Sequence, residues 1–163
     1  MALQLKLNGL ADTIQLGHLL SGLFQAGTGF ALNGPLGAGK SELARAMLRA
    51  GCGEIGDIPS PTFTLVQSYE TGDGLPVWHM DLYRLKSLEE ALALGIEEAF
   101  YEAVCLIEWP DRLQGFLPPR LIEISIAFDN TSEQARFVHI SADEALRTQL
   151  QMMDKGGLLT NSV

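Results

Sequence analysis

The chain has 163 residues, of which 47% are hydrophobic and 19% are charged, and its formal net charge is −9. These values are typical of one globular domain with a proper core, and they exclude an intrinsically disordered chain. The acidic charge argues against autonomous binding of nucleic acid, which normally needs a basic surface. Any contact with RNA would therefore be made through another protein.

No apolar run is long enough to span a membrane, and the N-terminal residues lack the apolar core of a signal peptide. Cys52 and Cys105 are far apart in the chain and show neither C-x-x-C nor metal-ligand spacing. We therefore expect a cytoplasmic protein with two reduced thiols and no membrane contact.

The first predicted elements are a strand, a helix and a second strand. Leu3, Leu5 and Leu7 alternate with polar residues, which indicates a half-buried β-strand. Residues 12–25 carry apolar side chains at helical spacing. Residues 30–32 are a short apolar run, which is typical of a buried strand.

Residues 34–41 match the phosphate-binding pattern G-x-x-x-x-G-K-S. Glycines let such a loop wrap closely around an anion, and the backbone N–H groups of Gly37, Ala38 and Gly39 then form an anion-binding nest. The helix that follows adds its positive dipole end. In this motif Lys40 bridges the β- and γ-phosphates and the Ser41 hydroxyl holds Mg²⁺. The pattern predicts a site for a nucleoside triphosphate.

A proline-rich segment follows the P-loop helix. Pro59 and Pro61 disfavour a helix and favour an extended loop. Many P-loop proteins keep a segment that senses the γ-phosphate at this position, which would give Thr62 a role in the Mg²⁺ site or in sensing phosphate. A simple turn capped by Ser60 is the alternative, and the spacing does not separate the two.

A predicted β-hairpin comes next, with strands over residues 63–70 and 76–80 around a turn at residues 71–74. Asp81 follows the second strand directly. P-loop proteins hold Mg²⁺ with acidic residues at strand ends, directly or through water. His79 interrupts the apolar pattern of this strand, so Asp81 is a metal-site candidate rather than an assigned ligand.

A capping box at residues 87–90 predicts a short helix that ends at Gly95. Residues 103–107 then form the strongest buried-strand pattern in the chain. Glu108 follows it, at the rim where the P-loop also lies, and would coordinate Mg²⁺ or orient an attacking water. Trp109 is interpreted as a lid beside the site, as a contact for a partner, or as a core residue.

The remaining pattern predicts strands at residues 121–126 and 135–140 and a helix at residues 143–153. The predicted fold is an α/β P-loop NTPase fold in three layers, with a central mixed sheet that includes a β-hairpin. We expect one domain over residues 1–153 and a flexible tail over residues 154–163.

Four motifs occur in fixed order: the P-loop, SPTFTLV at residues 60–66, HMDLYRL at residues 79–85 and LIEWP at residues 106–110. Together they resemble the bacterial TsaE (YjeE) family over roughly residues 5–140. Members of this family are small ATPases required for threonylcarbamoyladenosine modification of tRNA.

The resemblance implies that ATP and Mg²⁺ are the cofactors and that the activity depends on a TsaB–TsaD pair, through which tRNA is reached indirectly. In that family the pair transfers the carbamoyl group to tRNA adenosine, and ATP hydrolysis supports its turnover. The resemblance makes Lys40, Asp81 and Glu108 the candidate catalytic residues. It places the metal at Ser41, Thr62, Asp81 and Glu108. It places the nucleotide at the loop amides, with Glu42, Thr62, Trp109 and Arg136 nearby and adenine against residues 10–13.

The P-loop departs from the family pattern at Pro35 and Glu42. Glu42 puts a negative charge in the first helical turn, which suits the helix dipole but lies close to the α-phosphate. No residue is identifiable as a general base or arginine finger, so we expect slow intrinsic hydrolysis by in-line attack of water.

Two other functions remain open on the sequence. A small-molecule phosphotransferase would need a lid rich in arginine, and no such segment is evident. A nucleotide-dependent binding switch acting through residues 58–64 would use ATP to control assembly without essential hydrolysis.

Overall fold

A seven-stranded mixed sheet organises the protein. The structure, a computed structural model, describes residues 2–59, 61 and 64–159. The strand order is β1-β7-β6-β2-β5-β4-β3. The strands are β1 (Ala2–Leu7), β2 (Thr28–Asn33), β3 (Val66–Glu70), β4 (Pro76–Asp81), β5 (Val104–Glu108), β6 (Arg120–Asp129) and β7 (Ser132–Ser141).

The centre of the sheet is parallel and both of its edges are antiparallel. Strand β2 pairs in parallel with β5 and β6, and β4 pairs in parallel with β5. The hairpins β3–β4 and β6–β7 and the pairing of β1 with β7 are antiparallel. The parallel strands therefore end at one edge of the sheet, where ligand sites form in open α/β folds.

Helices cover both faces of the sheet. One apolar core cluster joins the sheet to α1 (Leu10–Ser21), α2 (Lys40–Cys52) and α5 (Glu144–Met153). The other joins it to α3 (Leu88–Ala93), α4 (Ile96–Glu102) and the short 3₁₀ segment Pro110–Leu113. Neighbouring β5 residues such as Leu106 and Ile107 belong to opposite clusters, as the period-2 geometry of a strand requires. The predicted three-layer architecture with a mixed sheet and a hairpin is confirmed.

The observed elements differ from the predicted ones mainly at their ends. Ser87 does cap α3, since its side chain accepts a hydrogen bond from the Glu90 amide. Strand β3 begins at Val66, later than predicted, and Phe63 lies outside the described residues. Within the predicted tail, Leu158 and Leu159 are buried, and the Asp154 carboxylate accepts hydrogen bonds from both of their amides; the predicted domain bounds stay a prediction. Every helix in the described ranges falls short of the length and apolar character that a membrane span requires.

Close packing of α1 against α2 fixes the start of α1 beside the P-loop helix. Gly17 lies where an added Cβ would approach the Ala46 Cβ to 2.5 Å and the Ala46 carbonyl carbon to 2.8 Å. Real side chains do not reach such separations, so a residue larger than glycine would force the two helices apart.

We predict that Gly17→Ala lowers the free energy of unfolding by about 1–3 kcal/mol, the usual cost of overpacking a core. Helix propensity alone would favour alanine by about 1 kcal/mol, so the sign of the change is informative. Gly72→Ala is the control, since a Cβ there meets nothing within 4 Å. Urea unfolding of both variants measures the difference. An unchanged or raised stability of Gly17→Ala would contradict the close contact.

Candidate functional site

The P-loop lies between β2 and α2 and has a backbone that glycine permits. Gly34, Gly37 and Gly39 have φ values of +150°, +76° and +113°. A Cβ on Gly34 would also come within 2.5 Å of the Ile126 carbonyl oxygen. Gly39 precedes α2, and no side chain in the described part of the chain caps that N-terminus. The first amides of α2 are therefore suited to an anion.

Lys40, the first residue of α2, folds back over its own loop. Its Nζ donates hydrogen bonds to the carbonyl oxygens of Gly34, at 2.5 Å, and Pro35, at 2.9 Å. Burial lowers the pKa of Lys40, and the carboxylates of Glu108 and Asp81 oppose that shift. The ammonium group thus lies between the loop and the carboxylates of Asp81 and Glu108. A phosphate bound there would form its strongest charge-assisted hydrogen bonds with this group.

Trp109 packs directly against Lys40. The Lys40 Nζ lies 4.2 Å from the centroid of the indole ring, a cation–π contact, and the Tyr83 ring lies 5.0 Å from the same ring. Trp109 has a φ of +60°, an unfavourable backbone conformation for a bulky residue. Such strain persists only where the surrounding structure enforces it, so the packing around Trp109 holds this backbone conformation in place. Trp109 thus lies beside the site, and its ring is only partly buried.

The acidic rim is formed by the ends of β4 and β5. The parallel register pairs Asp81 with Glu108, and both side chains are buried. Oε1 of Glu108 accepts a hydrogen bond of 2.7 Å from the Ser41 hydroxyl. Oδ1 of Asp81 accepts one of 3.1 Å from the Tyr83 amide. The fold thus brings together Ser41, Asp81 and Glu108, which are far apart in the sequence.

His79 is the site residue whose contact the sequence analysis missed. Its side chain is fully buried, and Nε2 lies 2.7 Å from Oε2 of Glu108. The sequence feature that points to this contact is the position of His79 two residues before Asp81, since alternate residues of a strand share a face. The paired strand places Glu108 on that same face.

The rim fits a hard divalent cation that also binds phosphate. In the described part of the chain, no three His, Cys, Asp or Glu side chains form a metal cage. The Ser41 hydroxyl and the two carboxylates instead offer oxygen donors beside the phosphate loop. Mg²⁺ is commonly held in this way, by one or two carboxylates together with substrate phosphates rather than by a full protein cage.

A pocket of about 420 Å³ lies on the side of the P-loop opposite the acidic rim and is called here the α1 pocket. It joins the start of α1 to the P-loop and β7. Arg136 links β7 to the P-loop, because its Nε donates a 2.9 Å hydrogen bond to the Ala38 carbonyl oxygen. Its guanidinium also lies over the Phe128 ring at 4.8 Å. The lining residues include Leu7, Gly9, Leu10, Thr13, Gly37, Glu42 and Arg136.

Glu42 lies where the α1 pocket meets a smaller pocket of about 290 Å³. The smaller pocket contains Lys40, Ser41, Asp81, Glu108 and Trp109, and it is called here the rim pocket. The Glu42 carboxylate forms a 3.0 Å ion pair with Arg45, which also lines the rim pocket. This pairing offsets part of the negative charge that the sequence places near the loop.

Ten of the eleven predicted site residues therefore lie around these two adjoining pockets. Thr62 lies outside the described residues, so its predicted role stays a prediction.

Comparisons with known proteins identify the family of this chain. Residues 7–138 match the family model described as threonylcarbamoyl adenosine biosynthesis protein TsaE. A Rickettsia felis protein named tRNA threonylcarbamoyladenosine biosynthesis protein TsaE is 38% identical over 146 residues, covering 89% of this chain and 85% of the relative. A Haemophilus influenzae protein of the same name is 46% identical over 98 residues, covering 60% and 61%.

The crystal structure of Bacillus subtilis YdiB is similar in fold, with a TM-score of 0.72 and 96% coverage of both chains. Its sequence identity is 23%, so this likeness speaks for the fold alone.

We predict that Ser41→Ala lowers the free energy of unfolding of the ligand-free protein by about 1–3 kcal/mol. The buried Glu108 carboxylate would lose a donor, and hydrogen bonds to charged groups contribute about that much. Ser41→Thr keeps the hydroxyl and is the matched control. Denaturant unfolding without nucleotide measures both, and equal stability of Ser41→Ala and wild type would contradict the contact.

Proposed function

Because the chain belongs to the TsaE family of threonylcarbamoyl adenosine biosynthesis proteins, we propose that it is a Mg²⁺-dependent ATPase serving that modification of tRNA. It acts with a TsaB–TsaD pair, which carries out the transfer to adenosine. The observation that carries the proposal is the contact of the P-loop Ser41 with Glu108, since it joins a phosphate loop to an acidic rim.

ATP is proposed to lie across the two pockets. The triphosphate occupies the loop, where the α2 amides and Lys40 face it. The adenine occupies the α1 pocket, against Leu10 and Thr13. The pockets adjoin at Gly37, Gly39 and Glu42, so one extended ligand can fill both. Their volumes suit a ligand of this size.

The chemistry assigned to the site is electrostatic. Lys40 offsets negative charge that develops as the γ-phosphate is attacked in line by water. Ser41, Asp81 and Glu108 would hold Mg²⁺, which supplies further charge stabilisation when bound. Both oxygens of Glu108 already make contacts, with Ser41 and His79, so this carboxylate is poorly placed to accept a proton from water. Intrinsic hydrolysis is therefore slow, and the partner pair raises it.

The proposed contact with tRNA is indirect, since a net charge of −9 disfavours a nucleic-acid surface on this chain. We place the protein in the cytoplasm. Cys52 and Cys105 are free thiols, and burial raises the pKa of Cys105 to about 12. Unpaired thiols are typical of a reducing compartment.

Lys40→Ala is predicted to abolish ATP hydrolysis, with and without the partner pair, because the buried cation at the phosphate site is lost. Lys86→Ala, at an exposed lysine outside both pockets, is the control and keeps wild-type rates. Phosphate release is measured with isolated chain and with TsaB–TsaD added. Retained turnover in Lys40→Ala, or fast wild-type hydrolysis that the partners leave unchanged, would refute the proposal.

One observation favours a nucleotide-dependent binding switch as the second candidate. Nζ of Lys40 donates hydrogen bonds to carbonyl oxygens of its own loop and packs on Trp109, so a phosphate that draws Nζ toward itself would rearrange a contact near the surface. The switch differs from the ATPase in leaving hydrolysis dispensable.

We predict that Glu108→Gln binds ATP but no longer supports tRNA modification by the partner pair, because the rim loses a charge needed for Mg²⁺. Nucleotide binding and modified tRNA are measured on the same preparation. Full modification without measurable hydrolysis would instead favour the switch.

A further inference from the structure

His79 is a buried polar residue with one explained contact and one unexplained atom. Nε2 lies 2.7 Å from Oε2 of Glu108, while Nδ1 has no hydrogen-bond partner in the described structure. The side chain is fully buried on the sheet face that carries α2. A buried imidazole with an unpartnered nitrogen costs free energy, so an apolar side chain would serve packing better.

The chemistry of the contact fixes the direction of the hydrogen bond. An ionised carboxylate only accepts, so Nε2 of His79 carries the hydrogen and donates it to Glu108. Nδ1 has no acceptor among the described residues, so the described contacts favour a hydrogen on Nε2.

This hydrogen bond determines how Glu108 presents its carboxylate. The last side-chain torsion of a glutamate has a broad distribution and does not fix the carboxylate plane by itself. His79 holds Oε2 toward the interior, and Ser41 then meets Oε1 at 2.7 Å. Without His79, the carboxylate could rotate, and the oxygen facing the P-loop would no longer be fixed.

We propose that His79 is a positioning residue that orients Glu108 for the divalent cation, an inference that rests on the proposed binding of Mg²⁺ with ATP. It touches neither nucleotide nor metal. Its effect is confined to the coupling between the two, because the loop amides and Lys40 bind phosphate without it. Residues that orient a metal ligand typically change metal affinity by about 10–100-fold when removed.

The test compares the affinity for a fluorescent ADP analogue (mant-ADP) in Mg²⁺ with that in EDTA. The dissociation constant in EDTA divided by the dissociation constant in Mg²⁺ measures the coupling of metal to nucleotide. His79→Leu is expected to lower this ratio at least about tenfold and to leave the affinity in EDTA unchanged. His79→Gln can still donate to Glu108 from its amide and is expected to keep most of the ratio.

Val77→Ala is the control for disturbance of β4, since Val77 is buried on the same strand and face and is absent from both pockets. It should leave the ratio unchanged although it costs stability. Nitrogen-15 NMR of the wild-type histidines gives a second readout, in which the His79 imidazole is expected to carry a hydrogen on Nε2.

An unchanged ratio in His79→Leu, or equal losses in His79→Gln and His79→Leu, would overturn the positioning role. A histidine signal showing the Nδ1–H tautomer for His79 would overturn it as well. If wild-type protein failed to bind the analogue at all, the proposed function would fail first. Metal-dependent binding by the wild type with an intact His79→Leu ratio would refute only this inference.

Discussion

The hydrogen bond between Ser41 and Glu108 connects the P-loop helix to the acidic rim, and the parallel strands at the centre of the sheet position both residues for it. Ser41 lies in the first turn of α2, while Glu108 ends β5, next to the strand that feeds the P-loop. The parallel pairing of β2, β5 and β4 brings their ends to one edge. Because the pairing also fixes which face each residue occupies, Asp81 and Glu108 must point toward α2 together.

Charges concentrated in this way are costly unless each is paired. The buried Lys40 donates to its loop carbonyls and lies near the carboxylates of Asp81 and Glu108, and Nε2 of His79 lies 2.7 Å from Oε2 of Glu108. Removing one member of such a group leaves a buried partner unsatisfied, which destabilises more than the group as a whole stabilises. The buried charges and the strained backbone of Trp109 both lower the free energy of unfolding. Such features are typical of a site that is preorganised for a ligand.

Much of this could be predicted from the sequence, because the signals were local. The glycines of residues 34–41, the apolar run ending in Glu108 and the capping Ser87 each act within a few residues. The His79 contact was missed because it depends on the register between β4 and β5, which no local pattern contains. The link from Arg136 to Ala38 spans most of the chain and is equally hidden. The burial of Leu158 and Leu159 could not be predicted, because two apolar residues form no periodic pattern.

In the proposed function, a nucleotide site on this chain drives the chemistry of a partner. Reconstitution of threonylcarbamoyladenosine formation from purified TsaB–TsaD and tRNA, with modified adenosines counted by mass spectrometry over many turnovers, examines this proposal. We expect multiple turnovers only when this chain and ATP are both present, and little product when the chain is omitted. Full turnover without this chain would show that its nucleotide site does not drive the reaction.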